Sequence, residues 1–162
     1  MKNDIPVFMF HALSLNNSVE YADYHYAIDN DIFGKLVDII YNQRSRICSI
    51  ASLIDKNVDN DKAVSFTFDD GHITNYSMAY PILDKYSASA DFFINTAFVG
   101  NNGYMNWQQI EEMSRHGMSI QSHGHHHYYF DEISEHEIRN ELSISKKTIE
   151  DKIGAEVKVF AP

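Results

Sequence analysis

Ala63-Val64-Ser65-Phe66-Thr67-Phe68-Asp69-Asp70-Gly71 is the stretch on which the fold turns. Its first six residues form a short apolar run, β-branched and aromatic, the pattern of a buried strand. Two acids stand at the C-terminal end of that run, and a glycine follows. Charge so placed lies at the open mouth of an α/β sheet or barrel, where such folds carry their chemistry. Two carboxylates this close do not readily ionise together, because each raises the other's pKa. A divalent cation resolves the conflict: one carboxylate ligates it, and the other is left to act as a base.

Further along, Ser122-His123-Gly124-His125-His126-His127 supplies nitrogen ligands. One carboxylate with two imidazoles and open positions is the composition of a catalytic zinc or related site. His123 and His127 are four apart, so a tight turn or helix can present both to one ion. Gly124 disfavours a regular helix, which puts the cluster on a loop leaving a strand at Met118 to Gln121. At this level His125 and His126 stay open as alternative ligands.

Strands and helices alternate along the rest of the chain. Pro6 to His11 reads as a first strand and Asn16 to Asn30 as a polar loop. Tyr21, Tyr24, His25 and Tyr26 in that loop either line a groove or, by preference, cover the surface. Asp31 is expected to cap a helix with apolar residues at Ile32, Phe33, Leu36, Val37, Ile39 and Ile40. A short strand near Arg46 to Ser49 and a turn through Asp55 to Asp61 lead into the motif strand. Helices follow over Thr74 to Tyr86, over Asn106 to His116 with Gly117 as stop, and from Ser134 to Gly154 with Glu137 completing a capping box. About six strands in this alternation indicate a parallel sheet curled toward a barrel.

Composition places the chain among folded proteins. With 162 residues, 44% apolar and 22% charged, it has the length and apolar content of one core-bearing domain, read as spanning 1–162. The net charge of −10 disfavours nucleic acid and anionic membrane; it would suit a cationic polymer and equally serves solubility. A single cysteine, Cys48, excludes an internal disulfide framework and reads as a buried thiol. The apolar run from Ile5 to Phe10 is too short for a signal-peptide core or a membrane span. As written, the expected location is cytoplasmic, with the cell envelope or secretion as the alternative if a leader has been removed.

These motifs resemble those of the polysaccharide deacetylases, the NodB-homology group of carbohydrate esterases. Thr67 to Gly71 matches their Thr-Phe-Asp-Asp-Gly in full, and His123 and His127 match the outer positions of His-(Ser/Thr)-x-x-His. Gly124 stands where the family has a hydroxyl residue. Ala90 to Asn95 is similar to the Ala-Thr-Phe-Phe strand, and Pro6 to His11 to the opening strand of many members. The resemblance implies an incomplete, distorted (β/α) barrel of the NodB type. It implies Asp69 as catalytic base, with Asp70, His123 and His127 as ligands of a divalent metal, zinc first and cobalt or nickel next. It implies metal-dependent hydrolysis of N-acetyl groups from an amino-sugar polysaccharide or oligosaccharide.

Two alternatives stay beside that reading. One is hydrolysis of another non-peptide amide, such as a formamido sugar or a cyclic ureide; the other is a non-catalytic fragment that binds metal or carbohydrate. Val157 to Phe160 reads as the strand before the family's third motif, with Ala161-Pro162 as its beginning. The segments that in the family support the base and supply an acid histidine would lie beyond. The expectation is therefore a chain truncated relative to the family, with weak or no activity and homo-oligomer formation through exposed strand edges. His72 and His11 are the candidate substitutes for the acid.

Overall fold

The computed structural model describes residues 4–16, 18–54 and 62–162. The described residues form seven strands: β1 (Val7–Phe10), β2 (Ala12–Ser14), β3 (Ala27–Asp29), β4 (Arg46–Ile47), β5 (Ala63–Phe68), β6 (Asp91–Ile94) and β7 (Ser119–Ser122). Five helices accompany them: α1 (Asn30–Asn42), α2 (Ile50–Leu53), α3 (Tyr80–Lys85), α4 (Trp107–Arg115) and α5 (Glu135–Ile153). The main sheet is parallel, in the order β1-β5-β6-β7, and β4 pairs with the start of β5. β2 and β3 form a separate parallel pair. The protein is thus an α/β structure built on a parallel sheet with helical crossovers, as expected.

All six residues of β5 are buried, as befits the centre of a parallel sheet covered on both faces. Phe68 stacks on Phe92 of β6 at 4.8 Å, and Phe33 of α1 packs against Phe10, Phe66 and Phe68. Phe33, Val37 and Ile40 are the buried stripe of α1, each contributing about 1.5–3 kcal/mol on leaving water. Ile32 and Ile39, read from the sequence as part of that stripe, are exposed. β1 is an edge strand with Val7 53%, Phe8 40% and Met9 64% exposed. At the other edge β7 is met by one parallel bridge, Ser122 to Phe160, so the sheet does not close into a barrel among the described residues.

Several expectations need correction. The segment Asn16 to Asn30 is not a plain loop: it carries a 3-10 turn at Tyr24–Tyr26 and then β3, which pairs with β2. Because β3 runs straight into α1, the cap is Asp29, not Asp31; its Oδ1 accepts from Asp31 N at 2.9 Å and Ile32 N at 3.3 Å. Val157 to Phe160 is not a regular strand. The side-chain Oε1 of Gln121 accepts from the backbone N–H of both Lys158 and Val159 at 2.9 Å, displacing the ladder there. The helix expected from Thr74 begins with one wide π turn at Asn75–Ala79. Pro81 follows directly after that π turn, at the start of α3. The capping boxes of α4 (Asn106 with Gln109) and α5 (Ser134 with Glu137) are both formed, and α5 ends at left-handed Gly154. The turn expected through Asp55 to Asp61 lies outside the described residues.

Candidate metal and catalytic centre

The C-terminal ends of β1, β5, β6 and β7 open on one mouth. His11 follows β1, Asp69 and Asp70 follow β5, Asn95 and Thr96 follow β6, and the histidine loop follows β7. Asp69 N still donates to Phe10 O at 2.9 Å, so the acid pair begins where the ladder ends. The chain then turns sharply: Asp70 has φ 70° and Gly71 φ 77°. A left-handed non-glycine residue costs roughly 1–2 kcal/mol and persists only where its surroundings enforce it. Here the enforcement comes from the segment before α4. Met105 N donates to Gly71 O at 3.0 Å, and Ile73 N to Gly103 O at 2.8 Å.

Three of the four residues singled out from the sequence converge as a ligand set. Asp70 Oδ1 lies 3.4 Å from His123 Nε2 and 3.5 Å from His127 Nε2, and the three ligand atoms fall within 4.8 Å of one another. Zinc–nitrogen bonds of about 2.0–2.1 Å at tetrahedral angles set ligand atoms about 3.3 Å apart. The spacings to Asp70 fit such an ion. His123 Nδ1 donates to Ala161 O at 2.9 Å, which fixes that proton and turns Nε2 toward Asp70, as an N–H in the metal-free chain and as a lone pair once an ion takes that proton's place. Asn95 Nδ2 donates to Asp70 Oδ1 at 3.1 Å and orients the carboxylate.

The two acids are set apart by their surroundings. Burial pushes Asp69 above the usual carboxylate range, and the nearby imidazoles of His123 and His11 only partly offset this. Burial also acts upward on Asp70, but the hydrogen bond and charge of His123, with His127 and His11, outweigh it and hold the group low. Asp70 is therefore the carboxylate that stays ionised, and Asp69 the one that accepts a proton more readily.

The remaining histidines sort by contact. His125 and His126 turn away: His125 Nδ1 pairs with Thr96 Oγ1 at 2.7 Å and His126 Nδ1 with Glu141 Oε1 at 2.7 Å. His72 is buried, with Nδ1 on Thr74 Oγ1 and Nε2 on Glu20 O, both at 2.8 Å. Both of its nitrogens are engaged in these bonds. His11 and His72, the two candidate substitutes for the acid, line one cavity of about 200 Å³ together with Asp70, Tyr21, Tyr26 and Tyr104. Tyr21 and Tyr26 border that cavity while remaining exposed, in keeping with the sequence preference for surface cover. A second cavity of about 170 Å³ lies beyond His123 and His127, walled by Tyr128, Phe130 and Phe160. A roomier one of about 520 Å³, around Tyr41, Arg44, Arg46 and Tyr86, is lined by none of the mouth residues.

Sequence reasoning missed three supports of this centre. Asn95 was visible only as the last residue of a strand; the Ala161 carbonyl carries no signature in a side-chain pattern; Glu141 looks like any helix glutamate.

The polysaccharide deacetylase family model matches residues 56–162, and the chain belongs to that family. It is similar to the protein YxkH of Bacillus subtilis (strain 168), 29% identical over 143 residues that cover 88% of this chain and 50% of that protein. It is also similar to a peptidoglycan-N-acetylglucosamine deacetylase of Bacillus cereus, 29% identical over 93 residues, or 57% of this chain and 42% of that one. The chain therefore spans half or less of the length of these relatives. The structure of the Streptococcus pyogenes deacetylase PplD in complex with acetate matches with a TM-score of 0.86 and 26% identity, covering 96% of this chain and 72% of that one.

Proposed function

We propose that this chain removes N-acetyl groups from an amino-sugar polysaccharide or oligosaccharide. A divalent metal, zinc first, would be held by Asp70, His123 and His127, with Asp69 as the base. The observation that carries this reading is the convergence of Asp70, His123 and His127 beside a buried acid of raised pKa. When bound, the ion polarises an amide carbonyl and lowers the pKa of water. The chain's own groups do the rest. Asp70, kept anionic, and His123 Nε2 already face each other, so a bound ion would replace the proton between them without moving either side chain to a new place. Asp69 takes the proton of the attacking water onto its carboxylate, a role that suits a carboxylate whose burial raises its proton affinity. Tyr26 and Tyr104 wall the cavity on the Asp70 side, where His11, Asp23 and His72 add polar groups able to meet a sugar.

The relatives support the same substrate class. One is named for peptidoglycan N-acetylglucosamine, and PplD is in complex with acetate, the product that such hydrolysis releases. The deciding experiment is amine release from N-acetylglucosamine oligomers after chelation and after return of zinc or cobalt. Release restored by the metal supports the reading. Release from a formamido sugar or cyclic ureide alone would favour the other-amide reading, and metal uptake without release from any amide would favour a binding fragment.

A further inference from the structure

The loop between the two ligand histidines has no hydroxyl side chain of its own to hold it, because position 124 is glycine. Gly124 N donates to Ser122 Oγ at 3.3 Å, and the further side-chain restraint comes from α5. The Glu141 side chain, 4% exposed, places Oε2 2.8 Å from His125 N and 2.6 Å from His126 N, with both N–H groups donating. Its Oε1 accepts from His126 Nδ1 at 2.7 Å. A buried carboxylate is tolerated when donors surround it, and successive backbone N–H groups in a turn form a concavity that binds an anion. Gly124 makes the turn, at φ 85°, and a Cβ built there meets only Glu141 Oε2, at 3.4 Å. From the opposite side, Thr96 N donates to Gly124 O at 3.3 Å and Ala97 N to His125 O at 2.9 Å. Residues 124–126 are thus clamped between the β6 end and Glu141, while His123 and His127 project from the two ends of the clamped segment.

We propose that Glu141 is a positioning residue: its carboxylate, bound in the 125–126 backbone nest, fixes the separation of His123 and His127 and so the affinity of the centre for its metal. The proposal rests on the metal-site reading above. Glu141 touches neither candidate ligand; it acts through the peptide groups between them. Losing it frees the two N–H groups and His126, and His127, which sits at φ 62°, loses the restraint on the segment that precedes it. Supports that orient metal ligands typically carry about 10–100-fold in affinity.

The test is zinc titration by calorimetry on the full chain, with the cobalt-substituted absorption spectrum as a readout of ligand geometry. Glu141→Ala should bind zinc about 10–100-fold more weakly and shift the cobalt spectrum. Glu141→Gln, which keeps one acceptor oxygen, should recover part of both. Ser134→Ala, which removes the N-cap of α5 far from the clamped segment, should lower stability yet leave the spectrum unchanged. If Glu141→Ala does not fold, Glu141→Asp keeps the charge, withdraws the carboxylate from the nest and is read by the same two measurements. Wild-type affinity and spectrum in a folded Ala or Asp variant would overturn the proposal while leaving the metal site intact. Failure of the wild type to bind zinc, or binding undiminished in His123→Ala, would overturn the site reading and this proposal with it.

Discussion

His123 sits between two fixed points: its Nδ1–H is held by the Ala161 carbonyl at 2.9 Å, and its Nε2 faces Asp70 Oδ1 at 3.4 Å. A ring so clamped cannot rotate to another partner without breaking a buried hydrogen bond. His123→Ala and His127→Ala should therefore each abolish binding of one stoichiometric divalent ion by calorimetry. Undiminished affinity in both variants would move the site to His125 and His126.

Asp69→Asn should separate binding from chemistry. The metal set is untouched, so zinc affinity should persist, while hydrolysis should fall by about 10²–10⁴, the usual contribution of a general base. Stability should move the other way. The raised pKa of Asp69 means that its ionised form is disfavoured in the fold, so above the ordinary carboxylate range a neutral amide removes a destabilising charge. Metal-free Asp69→Asn should melt higher than wild type at neutral pH. A variant that loses zinc, while Asp70→Asn keeps it, would reverse the roles of the two acids.

The metal-free chain should show a pH window set by Asp70 and His123. For Asp70, burial raises the pKa but His123 outweighs it, so the folded value is low. Its stabilisation is present above the unfolded pKa and lost as pH falls through the folded one. For His123, burial lowers the pKa but the Asp70 hydrogen bond and the Ala161 carbonyl outweigh it, so the folded value is high. That contribution is complete below the unfolded imidazole pKa, about 6.5, and is lost as pH rises through the folded value. Thermal unfolding across pH should show an alkaline loss in wild type that His123→Ala lacks. An identical alkaline slope in both would contradict the pairing.

The edge strand β1 predicts association. Val7, Phe8 and Met9 expose apolar surface along a strand whose outer edge has no strand partner among the described residues. Such edges recruit other strands, and charge on them opposes it. The chain should therefore self-associate with rising concentration in light scattering, and Met9→Lys should reduce this. A monomer at every concentration would contradict it.

The elements legible in the sequence were those whose local chemistry is self-sufficient. The unbroken run Ala63 to Phe68 could only be a buried strand, and Asn106 and Ser134 each carried a cap partner three residues on. Asp69, Asp70, His123 and His127 were legible because residue type and place coincide: charge and imidazole just after strand-forming runs. Elements that depend on distant chain were not. β3 exists by pairing with β2, and that pairing moved the α1 cap from Asp31 to Asp29. The strand expected at Val157 to Phe160 yielded to the Gln121 side chain, and no spacing rule connects Glu141 to a loop on another element.

The account stands most directly on metal-titrated turnover. Chelated chain is given zinc in increments, and amine release from an N-acetylglucosamine oligomer is followed beside zinc uptake. Release that rises with zinc and saturates at one equivalent, absent in Asp69→Asn although that variant takes up the same equivalent, is the predicted result. Release indifferent to zinc, or undiminished in Asp69→Asn, would contradict the assignment of Asp69, Asp70, His123 and His127 to a single hydrolytic centre.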